Sequence, residues 1–321
     1  GARDAVALSS GTAALTLAAK CLDLKGEVIL PSFTFTSSAH SLLWNNLKPV
    51  FVDINPATFN IDADLIERKI TKKTCAILAT HVFGNPCDIS AIERIAKKHN
   101  LRVIYDAAHA FGAEYKKKSV ACYGDISIFS FTPTKVLSTA EGGLAVAKNK
   151  KVTKLLQLGR NNGDSFNREE EFLGISARMN ELSAIQGIET LKEFKKYLKR
   201  RKAMAKLYHT ELQNVPGISF QKIVLNAVSA HKEMTIVVDK SAYGVSRDKL
   251  FKELSKKNIQ AKVYFDPVLH RKKVYSKYKN ISLPHTEFVS SHIMSLPLYS
   301  HMPEIEVKTV CSVIKKLAKS L

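Results

Sequence analysis

The first 150 residues alternate short, almost unbroken apolar runs with stretches of amphipathic helical period, and this alternation narrows the fold more than any other feature. The runs are EVILP (27–31), PVFVDI (49–54), CAILATHVFG (75–84), RVIYDAA (102–108), ISIFSF (126–131) and GGLAVAK (142–148). Being apolar on both faces, they predict strands buried inside a mostly parallel sheet. Between them, DISAIERIAKKHN sets Ile89, Ile92, Ile95 and Ala96 on one helical face, with Asp88 placed to cap its start. DADLIERKI (62–70) reads the same way. The pattern predicts a doubly wound α/β sheet, a fold whose ligands bind beyond the carboxyl ends of the strands.

From about residue 180 the texture changes. A long helical stretch (180–212) leads into a predicted strand at 230–239, a helix at 246–258, a strand at 259–265 and a terminal helix at 303–319. A chain of 321 residues has room for two units. The expectation is a large α/β domain over 1–192 and a smaller α+β domain over 193–321.

Charge and cysteine usage exclude several classes. No apolar stretch approaches the ~20 residues of a membrane helix, and no signal-peptide pattern opens the sequence. Cys21, Cys75, Cys87, Cys122 and Cys311 are scattered, without a CxxC pair. That fits neither a disulfide framework nor a zinc site, so a reducing cytoplasm and no metal are expected. The net charge of +20 raises nucleic-acid binding. The lysines are nevertheless diffuse, with only local runs such as FKKYLKRRKAMAK (194–206), and no zinc-finger, RNP-like or basic-zipper spacing is present. A solvated basic surface, or an anionic small-molecule substrate, accounts for them better.

Four stretches carry chemistry. SSGTAALTLAAK (9–20) feeds a Gly-Thr turn into a helix, which makes a phosphate cup around Gly11 and Thr12; taken alone, an ordinary helix cap explains it as well. VIYDAAHAFGAEY (103–115) ends a buried strand on Asp106, a costly place for a carboxylate without a cation, or else a solvated strand end; His109 follows as a second polar contact or a satisfied buried histidine. SIFSFTPTKVLSTAEGG (127–143) puts Lys135 after a strand, among the hydroxyls of Ser130, Thr132, Thr134, Ser138 and Thr139, before the Gly142-Gly143 pair. A lysine is a surface residue by default, and only this company argues otherwise. PSFTFTSSAH (31–40) places Phe33 and Phe35 past another strand end, either in the core or stacked on a planar ring. A phosphate cup, an acid, an aromatic and a lysine at the strand ends of one sheet fit pyridoxal 5′-phosphate, with the amine forming a Schiff base and the acid keeping the pyridine nitrogen protonated.

The chain resembles the DegT/DnrJ/EryC1/StrS family of sugar aminotransferases over nearly its whole length. SSGTAALTLA, GEVILPSFTFTSSAH, PVFVDINPATFNID, HVFGNPCDISAI, DAAHAFGA, SFTPTKVLSTAEGG, RMNELSAIQGI, DPVLH and MSLPLY follow in the family's order. The resemblance implies the fold type I (aspartate aminotransferase-like) architecture of PLP-dependent transferases, a large doubly wound domain plus a small α+β domain. It implies that Lys135 holds the cofactor and moves the proton, and that Asp106 partners the ring nitrogen. Gly11, Thr12 and Ser130 would bind the phosphate, Phe35 would stack on the ring, and His109 would reach the phenolic oxygen where many members have Gln. Glu141 lies in the usual Glu-Gly-Gly, and His81 and His270 match histidines near the substrate. The implied reaction takes the amino group of L-glutamate, releases 2-oxoglutarate, and passes the group through pyridoxamine 5′-phosphate to a nucleotide-linked keto sugar. TKVLSTAEGG resembles members acting at C4 of a 4-keto-6-deoxyhexose more than those acting at C3. A homodimer with shared active sites is implied as well.

Three departures bear on these expectations. GISARMNE (174–181) has Ser176 where members have Asn, in the segment that reaches the neighbouring subunit, leaving Arg178 and Asn180 as candidates. Ala140 replaces a common Gly. Members carry a longer segment ahead of SGTAAL, so the large domain is expected to lack it. Two rivals remain: a PLP-dependent sugar dehydratase, whose members replace the lysine with His and so fit Lys135 poorly, and a catalytically silent regulatory or nucleic-acid-binding homologue.

Overall fold

A computed structural model describes Ala2, residues 4–165, Glu170 and residues 172–319. Its strands are β1 (Val6–Leu8), β2 (Glu27–Pro31), β3 (Lys48–Val52), β4 (Thr74–Thr80), β5 (Arg102–Asp106), β6 (Glu114–Tyr115), β7 (Lys118–Ser119), β8 (Ile126–Ser130), β9 (Gly143–Ala147), β10 (Ile218–Phe220), β11 (Ala227–Val228), β12 (Met234–Val238) and β13 (Ile293–Leu296). Its α-helices are α1 (Gly11–Cys21), α2 (Thr36–Trp44), α3 (Ala63–Ile66), α4 (Ile89–Lys98), α5 (Lys150–Gly159), α6 (Glu181–Leu212), α7 (Lys240–Tyr243), α8 (Arg247–Lys256), α9 (Pro284–His292) and α10 (Glu304–Lys319).

The apolar runs assemble into a seven-stranded sheet in the order β1-β9-β8-β5-β4-β2-β3. From β3 to β8 every pairing is parallel. β9 turns back antiparallel to both β8 and β1. The reason is the connection: only residues 131–142 separate β8 from β9, with no crossover helix, and a short return forces an antiparallel neighbour. β1 is three residues long and carries too little pattern to be predicted.

Both faces of this sheet are covered. One core joins residues of α1, α2 and α5 to Val28, Leu30, Leu78, Ile104 and Ile128. The other joins α4 to Ile29, Ile77, Ala79, Val103 and Phe129. Ile89, Ile92, Ile95 and Ala96 are buried as their spacing predicts, and the Asp88 carboxylate accepts the Ala91 amide at 3.0 Å. Burying each of those isoleucines stabilises the chain by about 1.5–3 kcal/mol.

The second half forms a three-stranded antiparallel sheet, β10-β12-β13, packed on α8, α10 and the end of α6. α6 runs unbroken for 32 residues, so position 192/193 falls inside one helix. Its Phe194 and Leu198 pack on the large sheet's core, whereas Met204, Ala205, Tyr208 and Leu212 belong to the small one. Later segments also return: Leu269, Tyr275, Tyr278 and Leu283 join the large core.

The strand predicted at 259–265 does not form. Lys262 makes only an isolated bridge to Ser295, after which Phe265 packs edge-on against Phe33 with ring centres 5.2 Å apart. Burial among aromatics of the large unit outcompetes a further ladder. The helix expected over 62–70 is also shorter, α3 being followed by a 3-10 turn at Glu67–Lys69. Among the described residues no helix is long and apolar enough to cross a membrane.

Candidate active site

Sheet register builds the site. Leu8 pairs with Gly143, and Gly143 pairs with Ser130, so the ends of β1 and β8 and the start of β9 lie in one row. Next to β8, Asp106 closes β5. Ser10 caps α1 by accepting the Ala13 amide at 3.1 Å, which aims the first turn of that helix along the same edge. Two glycines permit the crowding. A Cβ on Gly11 would lie 2.8 Å from Ser130 Cβ, and one on Gly143 would lie 2.3 Å from the Ser10 carbonyl carbon.

A cavity of about 200 Å³ opens at this edge, and Gly11, Thr12, Phe35, Asp106, His109, Ser130 and Lys135 all line it. Thr12 and Ser37 hydroxyls meet at 2.7 Å on its wall. The Asp106 carboxylate is buried; Ser38 Oγ donates to it at 2.7 Å and the Ala108 amide at 3.1 Å. Burial pushes its pKa above the usual carboxylate range, against those two bonds and the Lys135 charge. A cationic partner in the cavity would relieve that cost. Burial, then the Lys232 ammonium, pulls Lys135 down to about 8, opposed by Asp106 and Glu233. The Lys135 amine makes no hydrogen bond or ion pair with the described residues.

His109 stacks on Phe83, with ring planes 8° apart, and its Nδ1 accepts the Phe83 amide at 3.3 Å. Burial first, then the Lys135 and Lys232 charges, hold it well below the usual histidine range. A neutral ring accepting at Nδ1 carries its proton on Nε2. Phe35 stands exposed at the cavity rim, whereas Phe33 is a core residue among Phe59, Phe83 and Phe265.

The remaining candidates lie elsewhere. His81 does not line the cavity: it is fully buried, stacked on Tyr105 at 4.9 Å, accepts the Cys87 amide, and is drawn down to about 3 by burial. Its Nε2 is buried without a hydrogen-bond partner among the described residues. His270 is likewise buried, held between Ser32 Oγ at 2.7 Å and Glu287 at 3.0 Å, where it ties the end of β2 to α9. Glu141, Arg178 and Asn180 are exposed outside the cavity, and Asn180 caps α6 by accepting the Ser183 amide at 2.8 Å. Ser176 bridges to Asn161.

Sequence reasoning missed Ser38, Lys232, Glu233 and Tyr264. Ser38 stood inside the PSFTFTSSAH stretch, but nothing local aimed it at Asp106. Lys232 and Glu233 open the apolar run of β12, and a charged pair abutting a buried strand was the available signal. Lys135 and Lys232 also line a second cavity, a cleft of about 750 Å³ between α6 and the small sheet.

This cavity fits pyridoxal 5′-phosphate by its own chemistry. A helix N-terminus with hydroxyls suits the phosphate, a buried carboxylate suits a cationic ring nitrogen, and an unpaired amine suits the aldehyde. Residues 1–315 match the model of the DegT/DnrJ/EryC1/StrS aminotransferase family. The dTDP-4-amino-4,6-dideoxy-D-glucose transaminase of Shigella dysenteriae is 37% identical over 310 residues, covering 96% of this chain and 84% of that protein. The crystal structure of DesI in the presence of its TDP-sugar product superposes with a TM-score of 0.93 at 30% identity, over 99% of this chain and 81% of that one. NtdA from Bacillus subtilis with bound cofactor PMP gives 0.90 at 29% identity, over 99% and 74%.

Proposed function

The chain belongs to the DegT/DnrJ/EryC1/StrS aminotransferase family and is a pyridoxal 5′-phosphate-dependent sugar aminotransferase, and we propose that it moves the amino group of L-glutamate to C4 of a nucleotide-linked 4-keto-6-deoxyhexose. The observation that carries this reading is the meeting of Lys135 and Asp106 on one cavity that shares its wall with a far larger cleft. The Shigella relative's name, which specifies a 4-amino sugar, supports C4.

When bound, the cofactor supplies an electron sink for the carbanion formed at the amine-bearing carbon. The first turn of α1, with Thr12 and Ser130, would hold the phosphate. Asp106, oriented by its bonds from Ser38 and Ala108, would keep a proton on the ring nitrogen. Phe35, at the cavity rim, would cover the ring, and His109, with its proton on Nε2, would be a donor to the phenolic oxygen. Lys135 would anchor the cofactor and would hold or give up a proton at its amine. The larger cleft receives the nucleotide sugar, a doubly anionic group to which the net charge of +20 is favourable.

Exposed Leu182, Ile185, Ile188 and Leu191 recur every third residue along the first half of α6, beside Arg178 and Asn180. A homodimer seated on this stripe would bring those polar residues to the partner's site. Five cysteines without a disulfide suit a reducing cytoplasm.

The test is a panel of nucleotide-linked 4-keto and 3-keto sugars offered with L-glutamate, with sugar amine and 2-oxoglutarate measured together. Equimolar 2-oxoglutarate and 4-amino sugar are expected. Turnover of 3-keto sugars alone would overturn the C4 assignment, and turnover with other amino donors but not glutamate would overturn the donor.

A further inference from the structure

The two cavities meet at a pair of lysines. Lys135 and Lys232 line both the strand-edge cavity and the larger cleft. Lys232 is only 4% exposed, its ammonium pairs with the neighbouring Glu233 carboxylate, and it lies 5.5 Å from the centre of the Tyr264 ring. Its backbone is pinned on both sides: the amide donates to the Phe83 carbonyl at 3.0 Å, and the carbonyl accepts from Arg201 Nη2 at 2.7 Å. Burying a lysine is costly, and a lysine needed only for solubility would sit on the surface.

One carboxylate offsets one of the two ammonium charges. Of the other groups facing Lys135, Asp106 at the end of β5 favours its protonated form, and His109 is neutral. Arg201, Lys262 and Glu306 face the larger cleft. We propose that Lys232 is a positioning residue for this centre: its ammonium, paired with Glu233, raises the fraction of Lys135 that carries a free amine near neutral pH. The inference rests on the reading of Lys135 as the cofactor lysine, since both anchoring and proton transfer need an amine lone pair. Like charges that share a cavity wall disfavour each other's protonation. Consistent with this geometry, Lys232 follows burial as the second cause of the lowered Lys135 pKa.

The test labels free amines in the full chain, loaded with pyridoxamine 5′-phosphate or without added cofactor, across a pH series. An amine-acylating reagent is used, and the Lys135 peptide is quantified by mass spectrometry. In Lys232→Met the labelling midpoint of Lys135 should move to higher pH by about one unit, roughly tenfold less free amine below the midpoint. Lys232→Arg, which keeps the charge, should hold the wild-type midpoint. Lys232→Gln makes the same neutral comparison if the Met variant does not fold. An unchanged midpoint in the neutral variants, or equal shifts in the neutral and Arg variants, overturns the proposal. If the wild-type chain shows no visible band with pyridoxal 5′-phosphate, the cofactor reading of Lys135 fails instead, and the labelling midpoints still decide the coupling.

Discussion

Asp106 and Lys135 are held in opposite kinds of discomfort. The carboxylate is buried with two donors among the described residues, and the partly exposed amine shares its cavity with another cation. Such strain is paid for in stability and recovered when a ligand brings the missing charges. The folded pKa of Asp106 is raised, so the folded chain prefers the protonated carboxyl; that contribution is full below the ordinary value near 3.8 and is lost as pH rises through the raised one. In the absence of cofactor, Asp106→Asn should therefore melt higher than wild type at neutral pH, and the gap should close as pH falls below that ordinary range. The same variant should lose transaminase activity by a factor on the order of 10² or more. Thermal melts across pH, beside a glutamate half-reaction assay, check both. That Asp106 and Lys135 line one cavity was legible in the sequence, because strand ends in this fold class gather at one edge. That His81 and His270 are buried away from the cavity was not legible, because motif position says nothing about burial.

At the scale of elements, we assign anion binding to the first turn of α1, which can approach β8 only because residue 11 lacks a side chain. Gly11→Ala puts a Cβ at 2.8 Å from Ser130 Cβ, so one of the two must yield. The expected result is at least about tenfold weaker cofactor binding, from a misaimed helix end. Equilibrium titration with pyridoxal 5′-phosphate measures it, and an unchanged affinity would remove α1 from the phosphate site. Most elements of the large sheet were readable because each is specified locally by an apolar run and a capped helix. The strand at 259–265 was not, since its fate depends on Phe33, more than two hundred residues earlier in the chain. α9 makes the same point: its first turn is capped by distant Asp53, which accepts the Thr286 amide and hydroxyl at 2.7 Å each.

For the whole molecule, α6 is a beam shared by both units, and the first half of that beam shows an apolar stripe to solvent. We propose that this exposed stripe is the dimer interface. The double change Ile185→Glu and Ile188→Glu should give a folded monomer with greatly reduced turnover, read by light scattering and by the panel assay. A variant still dimeric with full activity would place the interface elsewhere. The sequence showed these residues as a helical pattern but not which side of the helix the core would leave bare, because that follows from how the sheet and the small unit dock.

We assign the cofactor to one amine among the many in this lysine-rich chain. Borohydride reduction of the cofactor-loaded protein, followed by peptide mass spectrometry, identifies that amine. A single stable adduct is expected on the peptide bearing Lys135, absent from Lys135→Ala. An adduct spread over other lysines with Lys135 bare, or no adduct at all, would contradict it.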